Sequence, residues 1–461
     1  MFRKVKKIHF VGIGGIGMSG IAELLLNLDF EISGSDIQDS EIIQNLISKG
    51  ANIYTDGHKA ENVGNSEVLV YSSAVRESNP EIMEANEKGI PVIRRAEMLE
   101  ELIAVKETSI AVSGTHGKTS TSSMLGSVLN AGEYDPTLVV GGLVKTIGTN
   151  SLLGLGDIII VEADEFDRSF LALHPTISVV TNIELEHTDT YSNMDELQNA
   201  FIQFCNSCPF YGGVIACLDS PGVRGIISDI YRPLTTFGIS SQADYRADEI
   251  QFKNNETTFL AYHHDQKLGQ IKLNVPGQHN VLNSLAAIAV GMEMEIPFNI
   301  IKKGLIEYDG VRRRFEIKGI VNDIMVVDDY AHHPTEVAAT LEAARSGWNR
   351  RIIAIFQPHL FTRTRDFYHD FAESFLNSDI LIVTDIYPAR EEEISGIDGN
   401  LVAKAAKKLG HRNVHFIPDM NDLNGKLNEI TQPGDMVISL GAGTIWRFSE
   451  KYFQQLQDNF K

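Results

Sequence analysis

Short, almost wholly apolar runs recur along the chain, most of them ending in glycine, serine or an acid before a longer amphipathic stretch begins. In the first half they are Ile8-His-Phe-Val11, Phe30-Glu-Ile-Ser33, Val68-Leu-Val-Tyr71, Ile110-Ala-Val112, Asp157-Ile-Ile-Ile-Val161 and Ile177-Ser-Val-Val180. In the second half they are Asp323–Asp329, Arg351–Phe356, Ile380–Thr384 and Asp435–Ser439. Runs this short and this apolar suit strands covered on both faces, and the stretches between them carry helical periodicity. Helices are predicted over Met18–Leu28, Thr121–Ala131 and Thr335–Arg345. The alternation predicts an α/β fold with mostly parallel sheets, whose ligands meet the carboxyl ends of the strands. No internal repeat or low-complexity tract interrupts the pattern, and no apolar run approaches the ~18 residues of a membrane span.

A chain of 461 residues has room for about three domains. Residues 1–104 read as a Rossmann-like unit, 105–310 as a central P-loop ATPase-like unit, and 311–461 as a third, Rossmann-like α/β unit. The net charge of −21 argues against a general affinity for nucleic acid or anionic membrane, so an anionic substrate must be held by local devices. Three cysteines give no disulfide framework and suit a reducing cytoplasm. Cys205 and Cys208 form a C-x-x-C, but no second pair follows at zinc spacing, so inert thiols are expected. The basic start, Arg3-Lys-Val-Lys-Lys7, resembles a secretory leader; glycines at 12, 14, 15, 17 and 20 and Glu23 break any apolar core such a leader would need.

The chemistry concentrates in Ser113-Gly-Thr-His-Gly-Lys-Thr-Ser120, which follows a strand and opens a helix. Backbone N–H groups at such a helix start, helped by the helix dipole, form an anion site. Gly114 and Gly117 permit the turn, Lys118 supplies a cation for outer phosphates, and Thr119 offers a hydroxyl to Mg²⁺. Val112 stands where the strict P-loop has glycine, so the loop is a shortened G-x-x-G-K-T; the plainer reading is a glycine turn with a surface lysine. Gly12-Ile-Gly-Gly-Ile-Gly17 is a second strand–turn–helix motif, with Asp36 nineteen residues beyond Gly17, where a Rossmann unit meets a ribose. That turn serves NAD or any other pyrophosphate. Glu162 and His187 sit at strand ends where they could join Thr119 around one or two cations; a solvated acidic loop with a capping histidine is the alternative. Asn280 and Asn283 share a helix face, as caps or as amides that read a base. His359, Arg363 and Arg365 form a small cationic cluster in an acidic chain.

Taken together, several stretches resemble the Mur ligase family of peptidoglycan synthesis over essentially the whole length. They are G-I-G-G-I-G-M-S-G, G-T-H-G-K-T-S-T, E-A-D-E, N-I-E-x-x-H, H-N-x-x-N, R-R-F, D-D-Y-A-H-H-P-T-E and Q-P-H-x-F-T-R-T. The resemblance implies a cytoplasmic three-domain ligase using ATP and Mg²⁺ (or Mn²⁺), with the first glycine motif facing a UDP-sugar rather than NAD. It points to the branch that joins L-alanine to UDP-N-acetylmuramate through an acyl phosphate. No lysine occurs between Lys145 and Lys253, so the carbamylated lysine of later-acting branches has no counterpart there. A recycling branch that adds a tripeptide, with G-I-C-G-x-x-M-G-G at its start, is the alternative. By resemblance the ATP site comprises Gly114, Thr115, His116, Gly117, Lys118, Thr119, Ser120, Asn280, Asn283, the hinge residue Arg314, Asp329 and His332. The metal ligands are Thr119, Glu162 (rather than Glu165) and His187. Gly14, Gly15, Ile16, Ser19, Asp36, Ser72 and Ser73 fall to the UDP-sugar, and His359, Arg363 and Arg365 to the amino acid or substrate phosphates. Leu360 departs from the arginine many relatives carry. Monomer and homodimer are both compatible with the sequence.

Overall fold

The computed structural model describes residues 5–72, 74–145, 150–166, 168–186, 190–389 and 391–459. It contains three sheets. The first holds β1 (Lys7–Val11), β2 (Glu31–Ser35), β3 (Asn52–Tyr54), β4 (Val68–Tyr71) and β5 (Val92–Arg94) in the order β3-β2-β1-β4-β5, all parallel. The chain order reverses beside β1, so the turn after β1 lies at the switch point where open α/β sheets bind ligands.

The second sheet has ten strands. They are β6 (Thr108–Ser113), β7 (Thr137–Val139), β8 (Ser151–Leu152), β9 (Ile158–Glu162), β10 (Ile177–Val180), β11 (Gly213–Cys217), β12 (Leu234–Gly238), β13 (Tyr245–Lys253), β14 (Glu256–His263) and β15 (Gln266–Leu273). Their order is β15-β14-β13-β12-β11-β10-β6-β9-β7-β8. β6 lies between β10 and β9 and parallel to both, and its apolar residues Ile110, Ala111 and Val112 are wholly buried. Phe201 and Phe204, on the helix Met194–Asn206, pack against Phe170 with ring centroids 5.2 and 5.1 Å apart. Truncating either to alanine would cost about 3–5 kcal/mol.

The third sheet comprises β16 (Glu316–Val321), β17 (Ile324–Asp329), β18 (Arg351–Phe356), β19 (Ile380–Val383), β20 (Val414–Phe416) and β21 (Asp435–Leu440), in the order β16-β17-β21-β18-β19-β20. Only its first pair, β16 with β17, is antiparallel. The chain divides into two compact units. One is Met1–Asp248 with Leu260–Ile271 and Leu282–Asp309; the other is Glu249–Phe259 with Lys272–Val281 and Gly310–Lys461. No helix among the described residues is long and apolar enough to cross a membrane.

Element boundaries differ slightly from the sequence expectation. The helix after the second glycine motif spans Lys118–Ala131, starting three residues earlier than Thr121, because Gly117 takes a left-handed φ of 83° and caps it. Its serine- and threonine-rich start is a poor helix former, yet Ser123 bonds back to the Thr119 carbonyl, and Met124, Leu125, Val128 and Leu129 bury its inner face. The first helix runs Ile16–Asn27.

Candidate active site

The loop after β6 is held to the end of β10. Thr115 N–H donates to the Asn182 carbonyl at 3.1 Å and His116 N–H to Asn182 Oδ1 at 2.8 Å. Thr181 Oγ1 donates to the His116 carbonyl at 2.6 Å, and Thr115 Oγ1 exchanges bonds with the backbone of Glu184. Gly114, at φ 132°, has no room for a side chain: a Cβ there would lie 2.9 Å from the Asn182 carbonyl oxygen and closer still to Thr181 Oγ1. The backbone amides of Thr115 and His116, both assigned to the nucleotide by resemblance, are committed to Asn182. Lys118, Thr119 and the buried Ser120 form the first turn of the helix.

Lys118 is 16% exposed at its side chain and ion-pairs with Glu165 Oε2 at 2.8 Å. Burial alone would lower the pKa of its ammonium; the Glu165 and Asp164 carboxylates more than reverse that. Glu162 takes the neighbouring position. Its Oε1 accepts from Gly141 N–H at 2.8 Å, and the Thr119 hydroxyl bonds to the same carboxylate. Thr119 and Glu162 are thus brought together as expected for a shared cation. His187, assigned to the same group, lies outside the described residues, as does Ser73.

At the first glycine turn, Gly12 (φ 79°) and Ile13 both donate to the Ser35 carbonyl. Asp36 Oδ2 accepts from Gly14 N–H at 2.8 Å, so this carboxylate closes over the turn. Gly15 caps the helix, Ile16 is exposed, and Ser19 Oγ is turned back to the Ile16 carbonyl at 2.9 Å. Ser72 Oγ accepts from Ala74 N–H at the end of β4.

Arg314, Asp329, His332, His359 and Arg363 gather at the carboxyl ends of the third sheet. Asp329 is buried, accepts from Phe315 and Ala331 N–H at 2.7 Å each, and is pushed up to about 6 by desolvation. Arg314 pairs with Glu336 at 3.1 Å, which also receives the His332 backbone N–H at 3.1 Å. Arg363 Nη1 meets His359 Nδ1 at 3.2 Å. Arg365 does not share Arg363's buried face: it is exposed and pairs with its neighbour Asp366 at 2.7 Å, because two residues along a helix turn a side chain by about 200°. Asn280 and Asn283 also part company. Asn280 Nδ2 donates to the Pro276 carbonyl at 2.7 Å, a helix-start bond, whereas Asn283 Oδ1 accepts from Thr121 and abuts Gly117. The thiols of Cys205, Cys208 and Cys217 are free and buried, and burial pushes each pKa up.

Three consecutive family models cover this architecture. Residues 7–107 match "Mur ligase family, catalytic domain", 112–291 "Mur ligase middle domain" and 313–443 "Mur ligase, glutamate ligase domain". A UDP-N-acetylmuramate–L-alanine ligase of Geotalea uraniireducens is 50% identical over 457 residues, 99% of each chain. The chain belongs to the Mur ligase family. Among solved structures, the UDP-N-acetylmuramate-alanine ligase MurC of Thermotoga maritima superposes with a TM-score of 0.84 at 28% identity, covering 98% of this chain and 99% of that one. A murein peptide ligase of Psychrobacter arcticus, at TM-score 0.70 and 23% identity over 97% and 98%, shares the Mur ligase fold.

Four residues of this Mur ligase were given no role from the sequence. Arg95, just after β5, lies against the first helix so closely that a Cβ on Gly17 would be 2.6 Å from its guanidinium. Asn182 anchors the second loop. Glu165, not Glu162, holds Lys118. Glu391 accepts from Phe361 and Thr362 N–H at 2.5 and 3.1 Å, capping the helix Phe361–Ser374 that carries Arg363. The pair Arg94-Arg95 at a strand end, and Asn182 within N-I-E, were legible signals; Glu391, in a run of three glutamates, gave none.

Proposed function

We propose that this chain joins L-alanine to the lactyl carboxylate of UDP-N-acetylmuramate, with ATP converted to ADP and phosphate, in the cytoplasmic assembly of peptidoglycan precursors. One observation carries the substrate assignment: 50% identity, end to end, with a ligase of that name. The loop geometry supports the nucleotide. Lys118 and the amides that open its helix face the outer phosphates, and Asn283 braces Gly117 from behind. The carboxylate is phosphorylated, the alanine amine attacks the acyl phosphate, and phosphate leaves. Both steps build negative charge between donor and acceptor, so positioning and electrostatics supply most of the rate.

The donor set fits a magnesium ion. Thr119 and Glu162 offer hard oxygens side by side, and Glu162 is a desolvated carboxylate, pushed up by burial, with only neutral donors on it. Bound there, with His187 as the further ligand, the ion would neutralise phosphate charge. Gly14, Gly15, Ile16, Ser19, Asp36, Ser72 and Ser73 are read as the UDP-sugar side, and we add Arg95 as a cation for its diphosphate. His359 and Arg363 are read as the amino-acid side, with Arg314, Asp329, His332 and Asn280 toward the nucleotide. Phosphate release from ATP that requires UDP-N-acetylmuramate and L-alanine together tests the reading. Release without the amino acid, or preference for a tripeptide over alanine, overturns it.

A further inference from the structure

Lys118 uses all three of its ammonium protons. It donates to the Gly114 carbonyl at 2.7 Å, to Glu165 Oε2 at 2.8 Å and, across 3.4 Å, to the Thr115 carbonyl. Two of these bonds are short; the third is at the edge of bonding distance and is the one a stronger acceptor would replace. Glu165 is itself fixed. Its carbonyl accepts from the Tyr191 hydroxyl at 2.8 Å and from Arg168 N–H at 3.1 Å, and the tyrosine is fully buried. Yet its carboxylate is 2% exposed and its Oε1 has no hydrogen-bond partner among the described residues. A buried carboxylate with an empty oxygen is costly to keep, and it is not needed at Glu162, whose carboxylate has its own two donors.

We propose that Glu165 is the positioning residue of the phosphate loop. It pins the Lys118 ammonium so that the proton resting on Thr115 turns to an outer phosphate oxygen of a nucleoside triphosphate, while the Gly114 and Glu165 bonds persist. The carboxylate that ends β9 and the one three residues beyond it then divide the work: Glu162 stands beside Thr119 for the cation, and Glu165 aims the lysine. This deepens the reading of the loop as the nucleotide site and rests on it.

A double-mutant cycle on the full chain tests it, with affinity for ADP and for a non-hydrolysable ATP analogue measured by calorimetry. Glu165→Gln is expected to weaken binding about tenfold and Lys118→Ala about a hundredfold, with the double variant no weaker than Lys118→Ala. A residue that only supported the fold would give multiplying losses, and that result overturns the proposal, as does unchanged affinity in Glu165→Gln. Glu165→Asp, which keeps the charge but falls short of the lysine, should lie between wild type and Glu165→Gln, and serves the same cycle if the glutamine variant does not fold. Undiminished nucleotide binding by Lys118→Ala would instead remove the loop reading itself, and this inference with it.

Discussion

Two glycine turns of this chain have the same backbone plan and rest on opposite kinds of buried acid. Beneath the turn after β1, Glu81 is wholly buried and saturated: Ser35 Oγ donates at 2.5 Å, Asn62 Nδ2 at 2.6 Å and Lys59 N–H at 3.2 Å, with His9 Nε2 at 3.4 Å. Burial works to raise its pKa, but the bonds from His9, Ser35 and Asn62 outweigh it and hold the carboxyl below its usual range. Beside the turn after β6, Glu165 ion-pairs with Lys118, has one oxygen without a hydrogen-bond partner among the described residues, and has a pKa pushed up to about 7 by desolvation. A satisfied acid builds a floor; an unsatisfied one is kept for what it does to its neighbour.

The sharpest way to separate the turns is to add one methyl to each. Gly114→Ala forces a Cβ into Asn182 and Thr181 at a φ of 132°, and should destabilise by about 3 kcal/mol and abolish nucleotide binding. Lys118→Ala, which puts no Cβ into the turn, should lower turnover by about 10³-fold in the phosphate-release assay. Next comes Glu81→Gln, which breaks a saturated network: about 2 kcal/mol should be lost in denaturant melts, with nucleotide affinity unchanged.

The pH dependences should have opposite signs. Glu81 contributes stability that is present above the ordinary carboxylate value and lost as pH falls through its lowered one, so the wild-type advantage over Glu81→Gln shrinks in acid. Between about 4.5 and about 7 the native state keeps a proton on Glu165 that the unfolded chain has released, so that contribution declines as pH rises and Glu165→Gln gains on wild type. Equal slopes for the two variants would erase the distinction. Smallest of all, Gly15→Ala at φ −64°, whose nearest neighbour would be 3.5 Å away, should change stability by no more than about 0.5 kcal/mol.

The strands and both turns were legible because apolar runs and glycine spacing are local signals. Thr119 with Glu162, and His359 with Arg363, came together as read. What stayed hidden was partner choice. Glu162 and Glu165 stand three apart in E-A-D-E, and only the path of the intervening backbone decides which faces the lysine. Asn182 reaches the loop from 66 residues away, and Glu391 caps its helix from 30. Arg365 was grouped with Arg363 by closeness in sequence, which on a helix puts two side chains on different faces.

The clamp that Asn182 places on the Thr115 and His116 amides also bears on kinetics. A loop cast in its final shape before the nucleotide arrives has little conformational entropy left to lose on binding. Encounter rather than rearrangement should then set the association rate, and freeing the clamp with Asn182→Ala should slow capture more than it hastens escape.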